Sequence, residues 1–462
     1  MKTLLVILLS IILLSILSVS AATYTVGPGQ TYATFAACFA AVDLAPGDIV
    51  EARAAVPGGS HTFTETLTPG ANDFGAAGNP LVIRARSGDT ITIDAQNTRN
   101  YCLEITSSAN SHITIQGFAM TGANIYLCRV QGGGAGSLLN GFTLQNNSLT
   151  IANNTSTSFS HEGFLCQWVD NLIIRSNFIT TADASMPYQT DGMYIQNAAT
   201  VLIENNRVEI RNDDSTGHND CIQFAAIDAG VIPNFTIRNN ILIQNSTATG
   251  HTQVLYCEYP KAGTIRIYNN IFIVANANTG SFAVTVTPKA SSTVQVYVEN
   301  NSFWLNGNNG GLRMDPDVKN PYILNNILHN DNGSYSPVAF WLESLTVTTS
   351  RINNNIWYFS NPANVSNMFR DSGSFKNWAQ WQATGKDVNS FNTNPNYVNR
   401  TGFNLQLAVG SPAIGSGANL SAEFTTDILG ITRTAPWDMG VYKFGGGLPS
   451  VRPVSPKNLK FE

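Results

Sequence analysis

The chain has 462 residues, of which 12% are charged, and its formal net charge at pH 7 is −5. That length would allow two or three ordinary domains, but elongated repeat folds and large all-β domains reach it as single units. A pI near 5.7 indicates no strongly basic surface of the kind that binds nucleic acid, so nucleic acid is not expected as a partner.

The amino-terminal segment predicts export. Residues 1–22, MKTLLVILLSIILLSILSVSAA, combine one Lys, a long apolar stretch and a small-residue end. This is typical of a secretory signal peptide cleaved after Ala21 or Ala22, although the apolar run is also long enough for an uncleaved membrane anchor. We expect the rest of the chain to be secreted, as an extracellular, periplasmic or cell-surface protein, with no membrane contact after cleavage.

Short strands that end in Asn recur along the middle of the chain, from about residue 100 to 360. Successive Asn residues are separated by 30, 29, 34, 30, 31, 25 and 29 positions, and a period near 30 is typical of a β-solenoid. The repeats are QNNSL at Asn147, RSNFI at Asn177, ENNRV at Asn206, RNNIL at Asn240, YNNIF at Asn270, ENNSF at Asn301, LNNIL at Asn326 and NNNIW at Asn355.

The residues around each Asn explain why such a repeat folds. The chain before each Asn alternates apolar and polar residues, as in Thr264-Ile265-Arg266-Ile267, which is strand periodicity. Asn tolerates the left-handed backbone of a tight corner, and its amide can bond the same amide one coil away. We therefore predict an Asn ladder and one continuous core shared by stacked coils.

These repeats resemble the right-handed parallel β-helix superfamily of pectate lyases, polygalacturonases, alginate lyases and chondroitinase B. The flanks fit too: residues 23–55 resemble the usual first segment, with an amphipathic helix around Thr34 to Val42 that caps the first coil. NPNYVNRTGFNLQLAVGSPAIGSGA and the residues to about 445 resemble the closing segment. The resemblance implies an all-β fold, a single-stranded right-handed parallel β-helix spanning 23–445, with the closing segment at about 390–445. Residues 446–462 are then a flexible Gly/Pro-rich tail, and we expect a monomer.

Six cysteines in an exported chain permit disulfides. Cys102 and Cys128 fall one coil apart and either bridge or remain thiols. Cys166 and Cys257 fall on the apolar parity of their strands, which favours core thiols. No C-x-x-C spacing of a metal site occurs.

Stacking the coils by their Asn residues aligns HEGFLCQW, TDGMYIQN, NDCIQFAA and TQVLYCEY. Glu162, Asp191, Asp220 and Gln253 then form one column at the start of the same strand, with neighbouring coils about 4.8 Å apart. Carboxylates this close repel one another, so they must be protonated, bind a cation, or meet His or Arg. The column is therefore the candidate site.

The strands that follow this column predict a binding face. Phe164, Met193, Ile222 and Leu255 point inward by parity, so Tyr194, Gln223 and Tyr256 point outward, as does Glu258 two residues after Tyr256. A flat surface of Tyr, Gln and Glu can stack on sugar rings and bond their hydroxyls. We assign these four outward residues to substrate binding.

Three chemistries fit the carboxylate column. The first is β-elimination on a uronic acid, in which a base removes the C5 proton and an acid assists the leaving oxygen. The second is hydrolysis with one carboxyl as acid and another as base. The third is a structural Ca²⁺ held by Asp191 and Asp220.

Family motifs add further candidates. The order TDG at Asp191, NDC at Asp220, GHT at His251 and IRI at Arg266 resembles the successive motifs of polygalacturonases. Lys289 and GGLRM with Arg313 resemble the Lys and Arg that the alginate lyase and chondroitinase B family uses one coil apart. That resemblance implies substrate-binding roles for Lys289 and Arg313.

The leading hypothesis is a secreted carbohydrate-active enzyme, a polysaccharide lyase that cleaves an acidic, uronate-containing polysaccharide. Asp191 and Asp220, together with Glu162, either hold a cation, for which Ca²⁺ is the candidate, or orient His218. His218, His251 or Tyr256 removes the proton, and Arg313 binds the substrate carboxylate. The alternatives are a polygalacturonase-like glycoside hydrolase and a non-catalytic glycan-binding or structural surface protein.

Overall fold

The computed structural model describes residues 21–152, 160–183, 189–213, 218–226, 231–246, 253–275, 279–306, 308–331, 338–343, 348, 351–361 and 366–446. The predicted signal peptide and tail lie almost entirely outside these ranges, so both stay predictions. Within the described ranges, no helix combines the length and apolar character needed to cross a membrane.

The described residues form three long parallel sheets that wind into a solenoid, because each coil contributes one strand to each sheet in turn. Sheet A contains β1 (Thr23–Val26), β2 (Ile49–Ala52), β4 (Leu81–Ala85), β7 (Ile113–Gln116), β10 (Leu139–Gln145), β13 (Val169–Arg175), β16 (Thr200–Glu204), β19 (Asn234–Arg238), β22 (Thr264–Tyr268), β25 (Gln295–Glu299), β28 (Tyr322–Leu324) and β31 (Ile352–Asn353). Sheet B contains β3 (Ser60–Phe63), β5 (Thr90–Asp94), β8 (Phe118–Thr121), β11 (Ser148–Ile151), β14 (Phe178–Thr181), β17 (Arg207–Ile210), β20 (Ile241–Gln244), β23 (Ile271–Val274), β26 (Ser302–Leu305), β29 (Ile327–Asn330) and β32 (Ile356–Phe359).

Sheet C carries the candidate site. Its strands are β6 (Tyr101–Ile105), β9 (Tyr126–Gln131), β12 (His161–Gln167), β15 (Thr190–Gln196), β18 (Ile222–Ala225), β21 (Leu255–Glu258), β24 (Thr279–Thr287), β27 (Asn308–Met314), β30 (Phe340–Leu342), β33 (Phe369–Asp371) and the antiparallel β34 (Ser374–Lys376). A separate hairpin pairs β35 (Tyr397–Asn399) with β36 (Asn404–Leu407). The predicted fold class, a right-handed parallel β-helix, is confirmed.

The corner between sheets A and B contains the predicted Asn ladder, in which one residue makes the hydrogen bonds and its neighbour makes the turn. The amide of Asn240 donates to Oδ1 of Asn270 at 3.0 Å, and the same bond links every member of the series from Asn147 to Asn355. The residue before each ladder Asn has the left-handed conformation, with φ of 57° at Asn239 and 55° at Ser176. The ladder Asn therefore supplies the hydrogen bonds, while its predecessor supplies the turn.

Two short helices cap the core. Helix α1 (Phe35–Ala41) begins at Thr34, whose side chain accepts a hydrogen bond from the amide of Ala37. Its buried Phe35 packs against Phe63 and Phe118, which confirms the predicted amino-terminal cap. Helix α2 (Trp378–Gln382), which the sequence analysis missed, buries Trp381 in a stack on Phe369 with ring centroids 4.6 Å apart.

The closing segment returns along the outside of the solenoid. The left-handed residues of the later corners donate to its carbonyl groups: Asn354 to Ser416, Asn325 to Ala418, Asn300 to Gly440 and Asn269 to Thr426. Ile243, Ile271 and Trp304 on the outer face of sheet B pack against Leu405 and Val441 of the segment. Sheet B is thus buried on both faces in these coils.

All six cysteines are buried thiols, so Cys102 and Cys128 do not form a disulfide. The Sγ of Cys102 donates to the carbonyl of Thr121, and that of Cys128 contacts Sδ of Met120. Cys166 and Cys257 are core thiols, as their parity predicts.

Glu299 at the end of β25 makes the stability of the fold dependent on pH. It is 3% exposed, and burial, with a smaller contribution from Glu423, raises its pKa from 4.5 to about 7, while Arg266 opposes the shift. A raised carboxyl pKa gives stability that is complete below about pH 4.5 and is lost as the pH rises through 7. We expect Glu299→Gln to raise the free energy of unfolding by about 3 kcal/mol at pH 8 and to leave it almost unchanged at pH 4.5. Urea unfolding at the two pH values measures this, and an equal gain at both would contradict it.

Candidate functional site

The register of sheet C places the acidic residues in one column. Glu162 pairs with Asp191, and Met193 pairs with Ile222, so Asp220 follows as the next member. The preceding member is Tyr126 on β9. All three carboxylates are buried at the start of their strands, with Asp191 and Asp220 at 0% exposure.

Hydrogen bonds tie the two Asp residues to the stacked backbone. Oδ1 of Asp191 accepts from the amide of Asp220 at 2.7 Å, and Oδ1 of Asp220 accepts from the amide of Gln253 at 2.6 Å. The side chain of Gln189 donates to Oδ2 of Asp191 at 2.9 Å. One oxygen of each Asp therefore accepts a backbone hydrogen bond from a neighbouring coil, as Oδ1 of each ladder Asn does at the corner between sheets A and B.

The glycine after Asp191 is required by close packing. A Cβ at Gly192 would lie 2.5 Å from Cγ1 of Val208 and 2.6 Å from the carbonyl oxygen of Cys221. A side chain at position 192 would therefore collide with the backbone of the next coil, which carries Asp220 and Cys221.

His218 completes the cluster. Its Nδ1 lies 3.5 Å from Oδ2 of Asp220, and its ring lies 5.8 Å from that of Tyr256, centroid to centroid. Oδ2 of Asp220 is buried and has no hydrogen-bond partner. Asp191, His218 and Asp220 together form a group whose donor atoms lie within 4.8 Å of one another, so these three residues can hold a metal ion.

Burial controls the protonation of these carboxyl groups. It raises the pKa of Asp191 to about 7 and that of Asp220 well above its usual range, the latter with a further contribution from Asp191. Burial and then Asp191 raise the pKa of Glu162 in the same direction. Burial therefore favours the neutral form of these carboxyl groups, and an ionised Asp220 needs a cationic partner such as the protonated ring of His218.

The outer face of sheet C has the predicted columns. Leu165, Tyr194, Gln223 and Tyr256 are paired in register, while Phe164, Met193, Ile222 and Leu255 are buried at 0%. The side chain of Gln223 donates to Oε2 of Glu258 at 2.9 Å, which draws Glu258 toward the cluster. Tyr194, Gln223, Tyr256 and Glu258 therefore line one surface beside His218.

The other predicted residues lie apart from this cluster. Arg313 shares the Tyr256 column but is two strands further along, and it forms an ion pair with Asp315 at 2.6 Å. Lys289 follows the end of β24, where its amide bonds the carbonyl of Pro260, at the opposite end of the strands from the carboxylates. Glu162 neighbours Asp191 but is not one of the three grouped donors. His251 lies outside the described residues.

Some contributors were not foreseen. Gln189 and the Gln253 amide fix the two Asp side chains, and Trp341 continues the Tyr256 column beyond Arg313. Gln189 directly precedes the TDG motif, so its position was visible in the sequence. No pattern in the sequence indicates that the backbone amide of Gln253 would bond Asp220.

The chain was compared with known proteins. No family model matches it, and no curated protein sequence does. Among solved structures it is similar to pectate lyase Pel9A, with a TM-score of 0.50 and 14% identity over 94% of this chain and 98% of that one. It also matches XylC in complex with xylose (TM-score 0.47, 8% identity, 92% and 99% coverage) and a rhamnogalacturonan lyase (0.42, 13%, 92% and 96%). The likeness to Pel9A extends over nearly the whole of both chains. This protein therefore has the pectate-lyase-like right-handed parallel β-helix fold.

Proposed function

We propose that the protein is an exported polysaccharide lyase that cleaves an acidic, uronate-containing polysaccharide by β-elimination at His218. The observation that carries the proposal is the contact between Nδ1 of His218 and the unpartnered, buried Oδ2 of Asp220, beside Tyr256. The fold alone does not determine activity, although the likeness to a pectate lyase agrees with it.

The geometry suits His218 as the base. With a proton on Nδ1 facing Asp220, Nε2 is the basic nitrogen of the ring, and it is the atom that would take the C5 proton of a uronate. The ionised form of Asp220 then stabilises the imidazolium that results, as a buried carboxylate does in hydrolytic triads. Electrons from the C5–H bond form the C4–C5 double bond as the C4–O bond breaks, and Tyr256 is placed to give a proton to the leaving oxygen.

Calcium suits this donor set poorly. Ca²⁺ takes six to eight oxygen ligands, whereas the group offers an imidazole nitrogen and carboxylates that already accept three hydrogen bonds. Only Oδ2 of Asp220 remains without a hydrogen bond among the four oxygens of Asp191 and Asp220. No step of the proposed reaction therefore passes through calcium.

Hydrolysis is the second candidate, because burial raises the pKa of Asp191 to about 7 and a glycosidase acid needs a raised pKa. However, the two Asp residues are one coil apart, about 4.8 Å, which is too short for the water of an inverting hydrolase and close only to the spacing of about 5–5.5 Å in a retaining one. A retaining hydrolase needs an accessible carboxylate nucleophile, whereas both side chains are fully buried and bonded to backbone amides. Their burial favours elimination.

The test is the ultraviolet absorbance of the mature chain acting on pectate, alginate, chondroitin and ulvan, with EDTA and with Ca²⁺. We expect absorbance from the unsaturated uronate to rise on one of these substrates and to persist in EDTA. New reducing ends without absorbance would favour hydrolysis. The absence of both, with retained glycan binding, would favour the non-catalytic binding protein.

A further inference from the structure

The end of the predicted signal peptide offers two cleavage positions. The small residues there allow a cut after Ala21 or after Ala22, because either alanine suits the position before the cut. The two products differ by one residue, since the first begins at Ala22 and the second at Thr23. The structure describes both alanines, so the contacts of Ala22 bear on the choice.

Ala22 is bonded into the folded domain, although it precedes the first strand. Its carbonyl accepts a hydrogen bond from the amide of Ile49 at 2.8 Å, and its own amide donates to Oδ1 of Asp48 at 2.8 Å. Strand β1, which begins at Thr23, is the end strand of sheet A and lies next to β2. A cut after Ala22 would remove both hydrogen bonds from this end of the sheet, whereas a cut after Ala21 keeps both.

Asp48 is a buried carboxylate that needs a positive partner. It is 4% exposed, and within the part of the chain that the structure describes its only hydrogen-bond partners are the backbone amides of Ala22 and Ala45. Tyr24 also faces it, but burial and then Asp48 raise the pKa of Tyr24, so the phenol stays neutral. A buried carboxylate is costly unless a cation accompanies it.

A cut after Ala21 supplies that cation. Hydrolysis of the Ala21–Ala22 peptide bond by an endopeptidase consumes one water molecule: Ala21 ends in a carboxylate, and the nitrogen of Ala22 becomes an α-ammonium. That nitrogen already lies 2.8 Å from Oδ1 of Asp48. A charge-assisted hydrogen bond of this kind is roughly twice as strong as a neutral one.

We infer that the export protease cuts between Ala21 and Ala22, and that Asp48 binds the amino terminus which this cut releases. The unprocessed chain cannot form the ion pair, because its Ala22 nitrogen is an amide. Processing therefore completes the first coil and holds β1 more firmly than the precursor does. The inference rests on the export part of the proposed function and not on the polysaccharide activity.

The first test identifies the amino-terminal residue of the chain after export with its own signal peptide. Mass spectrometry of the purified protein gives this residue, and we expect Ala22. A chain that begins at Thr23, or one that keeps its signal peptide, would overturn the assigned cleavage site.

The second test measures the ion pair in the chain that begins at Ala22. An acylating reagent reacts only with the uncharged amine, so the pH midpoint of its reaction with Ala22 gives the pKa of the ammonium. An unfolded α-amine titrates at about 7.7–8.0. Pairing with Asp48 should raise the midpoint of the folded chain by about one pH unit over that in urea, which makes acylation at pH 7 about tenfold slower.

Two variants show whether the shift comes from Asp48. Asp48→Asn removes the charge and should abolish most of the shift. Asp43→Asn is the matched control, because Asp43 is an exposed carboxylate near Ala45 that bonds Asn72 instead, and it should keep the shift.

Equal midpoints in the folded and the urea-unfolded chain would contradict the ion pair, as would a shift that Asp48→Asn leaves intact. The comparison with urea needs no variant, so the ion pair stays testable if Asp48→Asn fails to fold. Neither test depends on turnover. A chain that begins at Ala22 and shows the shift, but releases no unsaturated product, would refute the lyase activity and leave this inference standing.

Discussion

Replacing Asp220 by Asn is expected to lower the turnover of the acidic polysaccharide by about 10³-fold while leaving the fold intact. Oδ1 of Asp220 accepts from the Gln253 amide, a bond that the Asn oxygen can keep, so the backbone stacking should survive. The charge that faces Nδ1 of His218 is lost, and loss of the corresponding charge in a serine-protease triad lowers turnover by up to about 10⁴-fold. Initial rates by ultraviolet absorbance measure the loss, and circular dichroism checks the fold.

The control is Asp94→Asn. Asp94 also accepts a backbone hydrogen bond, from Gln96, but it ends β5 in sheet B, away from the cluster. Its replacement should leave turnover unchanged. A loss equal to that of Asp220→Asn would show that the effect is structural.

The double variant separates a coupled pair from two independent residues. If Asp220 acts through His218, then His218→Gln should cost about as much as Asp220→Asn, and both changes together should cost little more than either. If the fold-losses of the two single variants instead multiply in the double variant, the two residues act independently and the coupling is contradicted. Full activity in His218→Gln would move the base to another residue.

Replacing Asn240 by Ala should reduce the free energy of unfolding by about 4 kcal/mol. Asn240 sits in the middle of the ladder, where its Nδ2 donates to Ile203, Arg238 and Asn270, and its Oδ1 accepts from Asn206. The truncation leaves several buried groups unpaired, and each costs about 1 to 3 kcal/mol. Chemical denaturation gives the difference from the wild-type chain.

A matched change is Asn392→Ala, because Asn392 is exposed and its amide meets only Sδ of Met368, at 3.7 Å. That change should alter stability by less than about 0.5 kcal/mol. If the two variants were equally stable, the ladder would not be a source of stability, and the solenoid would depend on its apolar core alone.

The register of sheet C followed from the sequence because two local rules suffice for it. Each Asn corner marks where a coil begins, and strand parity then assigns every residue to the inner or outer face. Phe164, Met193, Ile222 and Leu255 were placed correctly in this way, as were Tyr194 and Tyr256. The acidic column at Glu162, Asp191 and Asp220 depends on the same two rules.

Other features could not be read in the same way, because they depend on contacts between distant parts of the chain. Arg433 meets Asn269 across 164 residues, and Gly440 meets Asn300 across 140, so the path of the closing segment has no local signature. Arg313 was predicted to bind the substrate carboxylate, and its distance from the acidic column, two strands beyond Tyr256, became known only from the order of the strands in sheet C.

The sequence by itself determined the solenoid, its Asn ladder and the carboxylate column, because a repeated motif specifies its own neighbours one coil away. Only the tertiary structure decided which carboxylate oxygen faces His218 without a hydrogen bond and how the closing segment covers sheet B. Those outcomes depend on which donors reach which acceptors in three dimensions, and a one-dimensional period of about 30 residues carries no information about that.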